Sequence, residues 1–319
     1  MEQESEIAAV KIQEQVPLAE HSNYRIGGPA RYFCEATNEE EIRGAVQFAR
    51  EQQAPLFVLG GGTNLLISDS GFAGLMLKIE VMDLLQDETE QTVTVGAGVS
   101  VADLLQFTIA HALSGLEWAG GLPGTVGGAI RGNAGAFGGE IKDRVARVES
   151  FDVQSLETIT RDNAECKFGY RSSIFKEKNG REIILSAKIR LEKGDGPKIA
   201  AAIQEKIHYR RERHPMEYPN IGSTFKNVDL KLVPQIWRNA VAKVVKVDPF
   251  PVVPTAFLIS EAGLRGMQHG NAMVSPKHPN FIVNLGGATA ADVKFLIRKV
   301  KDAVFEKYGI RLEEEIQMV

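Results

Sequence analysis

The stretch Gly120-Gly121-Leu122-Pro123-Gly124-Thr125-Val126-Gly127-Gly128-Ala129-Ile130-Arg131-Gly132-Asn133-Ala134-Gly135-Ala136-Phe137-Gly138-Gly139 decides how this chain is read. Neither a helix nor a regular strand favours so many glycines, because each loses more backbone entropy on ordering than any other residue. Such a run persists where the backbone must pass very close to something else. A second run, Leu59-Gly60-Gly61-Gly62-Thr63-Asn64-Leu65, follows the apolar segment Leu56-Phe57-Val58. Two glycine runs holding Thr and Asn donors suggest a phosphate-bearing cofactor gripped by main-chain amides. The alternative is a pair of ordinary glycine-rich surface loops.

The bulk numbers narrow the class. A chain of 319 residues suggests two or three domains. Charged residues at 24% and hydrophobic residues at 44% suit a soluble globular protein. A net charge of -4, with no sustained basic stretch, gives no reason to expect nucleic acid. The most basic segment, Lys206 to His214, is short and interrupted by Glu212. It fits a solvated helix face or an anion-binding patch. Neither Cys34 nor Cys166 sits in a Cys-x-x-Cys, and the histidines form no ligand pattern, so neither a metal site nor a disulfide framework is expected. Met1 to Glu6 is acidic, the reverse of a signal peptide. No apolar stretch reaches the roughly 20 residues of a membrane span. The expected location is the cytoplasm. Oligomeric state is not set by anything in the sequence.

Asn38 before Glu39-Glu40-Glu41 reads as a helix start, with Ile42, Ala45, Val46 and Ala49 on one apolar face. Strands are expected at Leu56–Leu59, Leu75–Ile79, Gln91–Val95, Val145–Val153 and Glu182–Leu191. Ser100 is placed to cap a helix carrying Val101, Leu104, Leu105 and Ile109. Gly194-Asp195-Gly196-Pro197 opens a polar helix toward Arg213. Thr289-Ala290-Ala291-Asp292 resembles a capping box, and the stripe Val293, Leu296, Ile297, Val300, Val304 runs to a stop at Gly309. Strands and helices alternate irregularly, which favours α+β lobes over one doubly wound sheet.

No Gly-x-Gly-x-x-Gly occurs: Gly60/Gly62, Gly96/Gly98 and Gly194/Gly196 are followed by Leu65, Val101 and Ile199 at the required position. No P-loop is present either. A cofactor held by two separate glycine loops needs another scaffold. Leu59 to Leu66 and Gly121 to Gly128 resemble the two FAD pyrophosphate loops of the UDP-N-acetylenolpyruvoylglucosamine reductases, a family with the vanillyl-alcohol-oxidase-like flavoprotein fold. The resemblance continues in family order. It runs through Asn133 to Gly138, Phe168 to Lys176, Gly222-Ser223-Thr224-Phe225-Lys226-Asn227, Leu258 to Gly266, His278 to Asn284, and Leu312-Glu313-Glu314-Glu315-Ile316.

The resemblance implies an α+β chain with a two-lobed FAD-binding unit and a C-terminal α+β substrate domain. The expected parts are lobe 1 at 1–80 with 306–319, lobe 2 at 81–205, and a substrate domain at 206–305. It implies non-covalent FAD, NADPH as co-substrate, and a UDP-sugar whose enolpyruvyl ether is reduced to a lactyl ether, giving UDP-N-acetylmuramate for peptidoglycan. FAD-binding residues are then Gly60, Gly61, Gly62, Thr63, Asn64, Leu65, Gly124, Thr125, Gly127, Gly128 and Asn133. By the same resemblance Arg171 grips the substrate carboxylate, Ser223 donates a proton, and Glu315 acts at the carboxyl group or through Arg171. Tyr170, Lys226 and Asn227 bind substrate. A fixed guanidinium suits a carboxylate better than Lys, and a serine acts as an acid only if its alkoxide is stabilised. Two other readings stand beside this one: an FAD-dependent oxidase of the same fold acting on an alcohol or sugar, and a non-catalytic UDP-sugar binding protein.

The chain departs from the family pattern in places. Val228 to Phe257 is longer than the usual spacer and carries Pro234, Trp237, Pro249, Pro251 and Pro254. The simpler expectation is a surface excursion packed on the third domain, the alternative a cover over the substrate or an interface. Asn271 stands where glycine is common, and the form with a mobile tyrosine loop over the substrate is not expected.

Overall fold

A computed structural model describes residues 10–89, 91–178, 180–247 and 250–319. The acidic start Met1 to Glu6 and Pro249 lie outside the described residues. The chain divides into two compact units. The first takes the described part of Met1–Val16 with Ala30–Gly61 and Phe72–His208; the second takes Pro17–Pro29, Gly62–Gly71 and Tyr209–Val319.

Two sheets organise the first unit. In one, the spatial order is Gln13–Pro17, Pro29–Ala36, Phe72–Ile79, Leu56–Leu59. Phe72–Ile79 runs parallel to both its neighbours. The helix Glu39–Glu51 connects two of these strands, as a parallel connection requires. Its start is capped as expected: the Asn38 side chain accepts from the Glu41 amide at 2.9 Å. Ile42, Ala45, Val46 and Ala49 are buried, so the apolar face read from the sequence is the packed one.

The other sheet is antiparallel, in the order Glu157–Asp162, Val145–Asp152, Glu182–Arg190, Thr92–Gly96, Leu84–Asp87. Its register puts Val148 opposite Ala187 and Ala187 opposite Val95, and all three are buried. That row of small and branched side chains forms the inner face. Ser100 caps the helix Val101–Ala110, accepting from the Asp103 amide at 3.0 Å.

The second unit centres on the helix Ala290–Tyr308. Thr289 and Asp292 make the expected capping box, and Gly309 ends the helix at φ 68°. The carboxylate of Asp69 adds to this cap, accepting from the amides of Ala290 at 2.7 Å and Ala291 at 3.0 Å. Val293, Leu296, Ile297, Val300 and Val304 are buried against a three-stranded sheet region of Gln268–His269, Ala272–Val274 and Ile282–Asn284 and the helix Thr255–Glu261.

Leu65–Leu66 pairs in parallel with Gln317–Met318, so the returning C-terminal strand is present. Both strands fall in the second unit together with 209–305, and the compact units therefore cut across the three sequence-derived ranges. Val228 to Phe257 is an excursion that packs on the second unit's core. Val228–Asp229 pairs with Val252–Val253, Val233 and Val241 are buried, and Trp237 meets Tyr308 edge-on at 5.0 Å.

Candidate active site

The large glycine run does contain a helix, Val126–Arg131, which its composition argued against. Tertiary hydrogen bonds override the weak propensity. Val101 N donates to Gly124 O at 3.0 Å, Val126 N to Val99 O at 2.9 Å, and Gly127 N to Ala97 O at 3.0 Å. Thr125 caps the short helix, its hydroxyl accepting from Gly128 N at 3.4 Å. Gly127 is therefore a packing glycine: its N–H is engaged, and a Cβ there would lie 2.8 Å from the Cβ of Ala97.

The two glycine runs meet inside the first unit. A Cβ on Gly60 would come within 2.7 Å of Thr125 Oγ1, and one on Gly61 within 2.9 Å of Gly124 Cα. Among the described residues, the amides of Gly61, Gly124 and Thr125 make no hydrogen bond. Three N–H donors thus collect where two bends touch, and at Gly61 even a methyl group would press on backbone. Such a cradle of main-chain N–H groups suits the oxygens of a pyrophosphate, so these residues fit FAD.

The first loop continues into the second unit with different roles. Gly62 sits at φ 62° with its Cβ direction closed by His21 O at 2.1 Å, so only glycine fits there. Asn64 binds the C-terminal strand. Its Nδ2 donates to Glu315 O at 3.1 Å, and its carbonyl accepts from Gln317 N at 3.0 Å. Leu65 belongs to the paired strand, and Thr63 is half-buried.

Arg171 occupies the tip of a tight turn in the first unit. Gly169 N donates to Ser172 O at 3.0 Å and Ser172 N to Gly169 O at 3.2 Å. Arg171 holds φ 54°, a left-handed conformation that a non-glycine residue adopts only under constraint. Its Nη2 donates to Gly135 O at 2.9 Å, and its guanidinium lies 5.2 Å from the Tyr170 ring centroid. Lys176 Nζ donates to Arg171 O at 2.9 Å. Asn133 is fully buried, its side chain joined to Gly169 and Lys142. Ser173, which the sequence did not single out, is also fully buried and donates to Arg131 O at 2.7 Å. Its only sequence signal is a serine between the arginine turn and the apolar pair Ile174-Phe175. Burial holds the Arg131 guanidinium below its usual value.

Ser223 and Glu315 lie on adjacent segments of the second unit. Phe225 and Glu314 form an antiparallel bridge, Glu315 N donates to Thr224 O at 2.9 Å, and Lys226 N donates to Glu313 O at 2.9 Å. Asn280 anchors the segment by accepting from Phe225 N at 3.0 Å and donating to Phe225 O at 2.8 Å. Lys226 is ion-paired with Glu313. Asn227 Oδ1 accepts from Thr255 N at 3.2 Å, so this side chain supports the start of the following helix. The basic run ends at His214, whose ring centroid lies 5.1 Å from that of His278. Burial, then neighbouring positive charge, pushes His214 down to about 4; burial does the same to His278, also to about 4. Neither ring adds charge to the run near neutral pH.

Residues 30–159 match the family described as FAD binding domain. With the amide cradle inside that range, the fold and site define an FAD-dependent oxidoreductase. Residues 214–319 match the family described as UDP-N-acetylenolpyruvoylglucosamine reductase, C-terminal domain. Two curated proteins named UDP-N-acetylenolpyruvoylglucosamine reductase cover nearly the same length. The one from Caldanaerobacter subterraneus subsp. tengcongensis is 36% identical, over 95% of this chain and 92% of its own. The one from Solibacter usitatus is 37% identical, over 98% of each chain. The crystal structure of the Thermus caldophilus UDP-N-acetylenolpyruvylglucosamine reductase superposes with a TM-score of 0.74 at 29% identity, covering 97% of this chain and 98% of its own. The chain belongs to the UDP-N-acetylenolpyruvoylglucosamine reductase family.

Proposed function

We propose that this chain reduces the enolpyruvyl group of its UDP-sugar with Arg171, Ser223 and Glu315 as the reacting residues. The observation that carries the reading is the contact of the two glycine bends, which collects the N–H groups of Gly61, Gly124 and Thr125. These groups would hold the pyrophosphate of FAD. When bound there, FAD would supply the hydride, derived from NADPH, that the reduction of the substrate alkene requires.

The remaining chemistry falls to side chains. The alkene is conjugated to a carboxylate, so hydride addition builds negative charge on the carboxyl oxygens. Arg171 binds that group through two parallel N–H donors and stabilises the developing charge. Ser223 delivers a proton to the carbon bearing the ether oxygen. Lys226 supplies positive charge on the same segment, which lowers the cost of a serine alkoxide. Glu315 orients the carboxyl end of the substrate. Tyr170 and Asn227 bind substrate in this reading, and the lobes at 1–80 with 306–319 and 81–205 serve FAD while 206–305 serves the substrate. Among the described residues, no helix is long and apolar enough to cross a membrane. We place the reaction in the cytoplasm, where NADPH and nucleotide sugars meet.

The test is Ser223→Ala. Flavin reduction by NADPH is expected to proceed as in wild type, while reoxidation by the enolpyruvyl sugar slows by roughly 100-fold or more. Equal loss in both half-reactions would remove Ser223 from proton delivery. An oxidase of the same fold would instead turn over without the enolpyruvyl sugar, and a pure binding protein would purify colourless.

A further inference from the structure

We propose that Asn133 is a positioning residue for Arg171 rather than a cofactor ligand. With Ser173 it clamps the arginine turn onto the far end of the glycine-rich loop. The inference rests on the reading of Arg171 as the carboxylate-binding group.

Three alternate residues of the loop reach the turn. Arg131 O accepts from Ser173 Oγ at 2.7 Å, Asn133 Nδ2 donates to Gly169 O at 2.9 Å, and Gly135 O accepts from Arg171 Nη2 at 2.9 Å. The other end of the Asn133 amide accepts from Lys142 N at 3.3 Å. Both functions of that side chain are therefore engaged by protein, and the residue has no exposed surface. A fully buried amide satisfied on both sides fixes geometry; it does not meet a ligand.

The clamped turn has something to resist. Arg171 sits at φ 54°, a conformation that relaxes unless its surroundings hold it. Gly169 O is the carbonyl that opens the turn, and it accepts both from Ser172 N at 3.2 Å and from Asn133. Removing the Asn133 donor leaves the turn one bond short at its base. The same loop carries the amide cradle at Gly124 and Thr125, so a single stretch of chain serves the cofactor at one end and the arginine at the other.

The experiment compares Asn133→Gly, Asn133→Asp, Ser173→Ala and Arg171→Ala in the FAD-loaded enzyme. Asn133 holds φ 43°, so glycine accepts the backbone and only the side chain is lost. Aspartate keeps the shape and loses the donor. Asn133→Gly should bind FAD fully and be reduced by NADPH within about twofold of wild type, while KM for the enolpyruvyl sugar rises roughly tenfold. Backbone hydrogen exchange of 167–176 should quicken. Combined with Arg171→Ala, Asn133→Gly should add nothing further to the loss. Loss of flavin from folded Asn133→Gly, or additive effects in the double variant, overturns the proposal. If Asn133→Gly does not fold, Asn133→Asp and Ser173→Ala carry the same expectations, and unchanged KM and exchange in both overturn it. Unaltered substrate kinetics in Arg171→Ala would sink the underlying assignment of that arginine instead; exchange at 167–176 then decides the clamp by itself.

Discussion

Replacing Gly61 by alanine tests the contact on which the cofactor site depends. Neither Gly60 nor Gly61 has a positive φ, so an added methyl brings no backbone strain and acts through packing alone. At Gly61 it would lie 2.9 Å from Gly124 Cα and 3.4 Å from both Gly124 C and Thr125 N, all backbone. Carbon atoms at rest stand about 3.5–4.0 Å apart. The two bends must therefore part by several tenths of an ångström. Overpacking of this kind costs about 1–3 kcal/mol. Set against FAD binding, that is roughly a 5- to 150-fold weaker Kd. At Gly60 the methyl meets only the Thr125 hydroxyl at 2.7 Å, with the next atom at 3.9 Å. A side chain can turn away, so Gly60→Ala should cost no more than the helix cap it disturbs, about 1 kcal/mol. Both variants would be stripped of flavin and titrated with FAD by fluorescence quenching, with melting curves as a folding control. Gly61→Ala binding FAD as tightly as wild type, or no more weakly than Gly60→Ala, would refute the cradle.

Other perturbations follow from the same structure. Burial alone would raise the Glu182 carboxyl, but hydrogen bonds from Arg161, Lys178 and Ser150 outweigh it and bring it to about 2, against an ordinary 4.5. Its stabilisation, roughly 3 kcal/mol, is then complete above pH 4.5 and lost as pH falls toward 2. Glu182→Gln should melt well below wild type at pH 7, with the gap shrinking by about 2 kcal/mol at pH 3; a gap independent of pH would count against the ion cluster. Thr289→Ala removes one of three accepting side chains at its helix start, beside Asp69 and Asp292, so urea titration should show a loss of about 0.5–1 kcal/mol, and a loss above 2 would mean that Asp69 contributes little. Trp237→Ala should lower stability by about 2 kcal/mol while leaving both half-reactions unchanged. Altered substrate kinetics in that variant would make the 228–257 excursion part of the site.

What the sequence made legible was local. Asn38, Ser100 and the Thr289/Asp292 pair cap the helices they were expected to cap, because a side chain bonding an amide three residues on needs no distant partner. The glycine runs pointed to FAD, and the matched family bears that out. The helix at Val126–Arg131 was not legible because its stability comes from Val99 and Ala97, which lie elsewhere in sequence. Gly127, Asn64, Leu65 and Asn133 all lie in cofactor-like motifs. Only the pairing of distant strands and turns reveals that their bonds serve Ala97, Glu315, Gln317 and Gly169. A motif marks a place in the chain; it does not say which atom of each residue faces the ligand.

The segments Pro17–Pro29 and Gly62–Gly71 are threaded into a unit otherwise built from Tyr209–Val319. Tyr24 Oη donates to Ile282 O at 2.8 Å, Asn284 Nδ2 donates to Tyr24 O at 2.9 Å, and Leu66 is fully enclosed in that core. A gene fragment starting near His214 would encode a protein lacking a strand partner, a buried tyrosine and half of a helix cap. It would present sticky apolar surface to its own copies. Dissection of this enzyme at its apparent domain boundary should yield aggregates, whereas a permuted gene that keeps both short segments covalently attached should yield a soluble, folded unit.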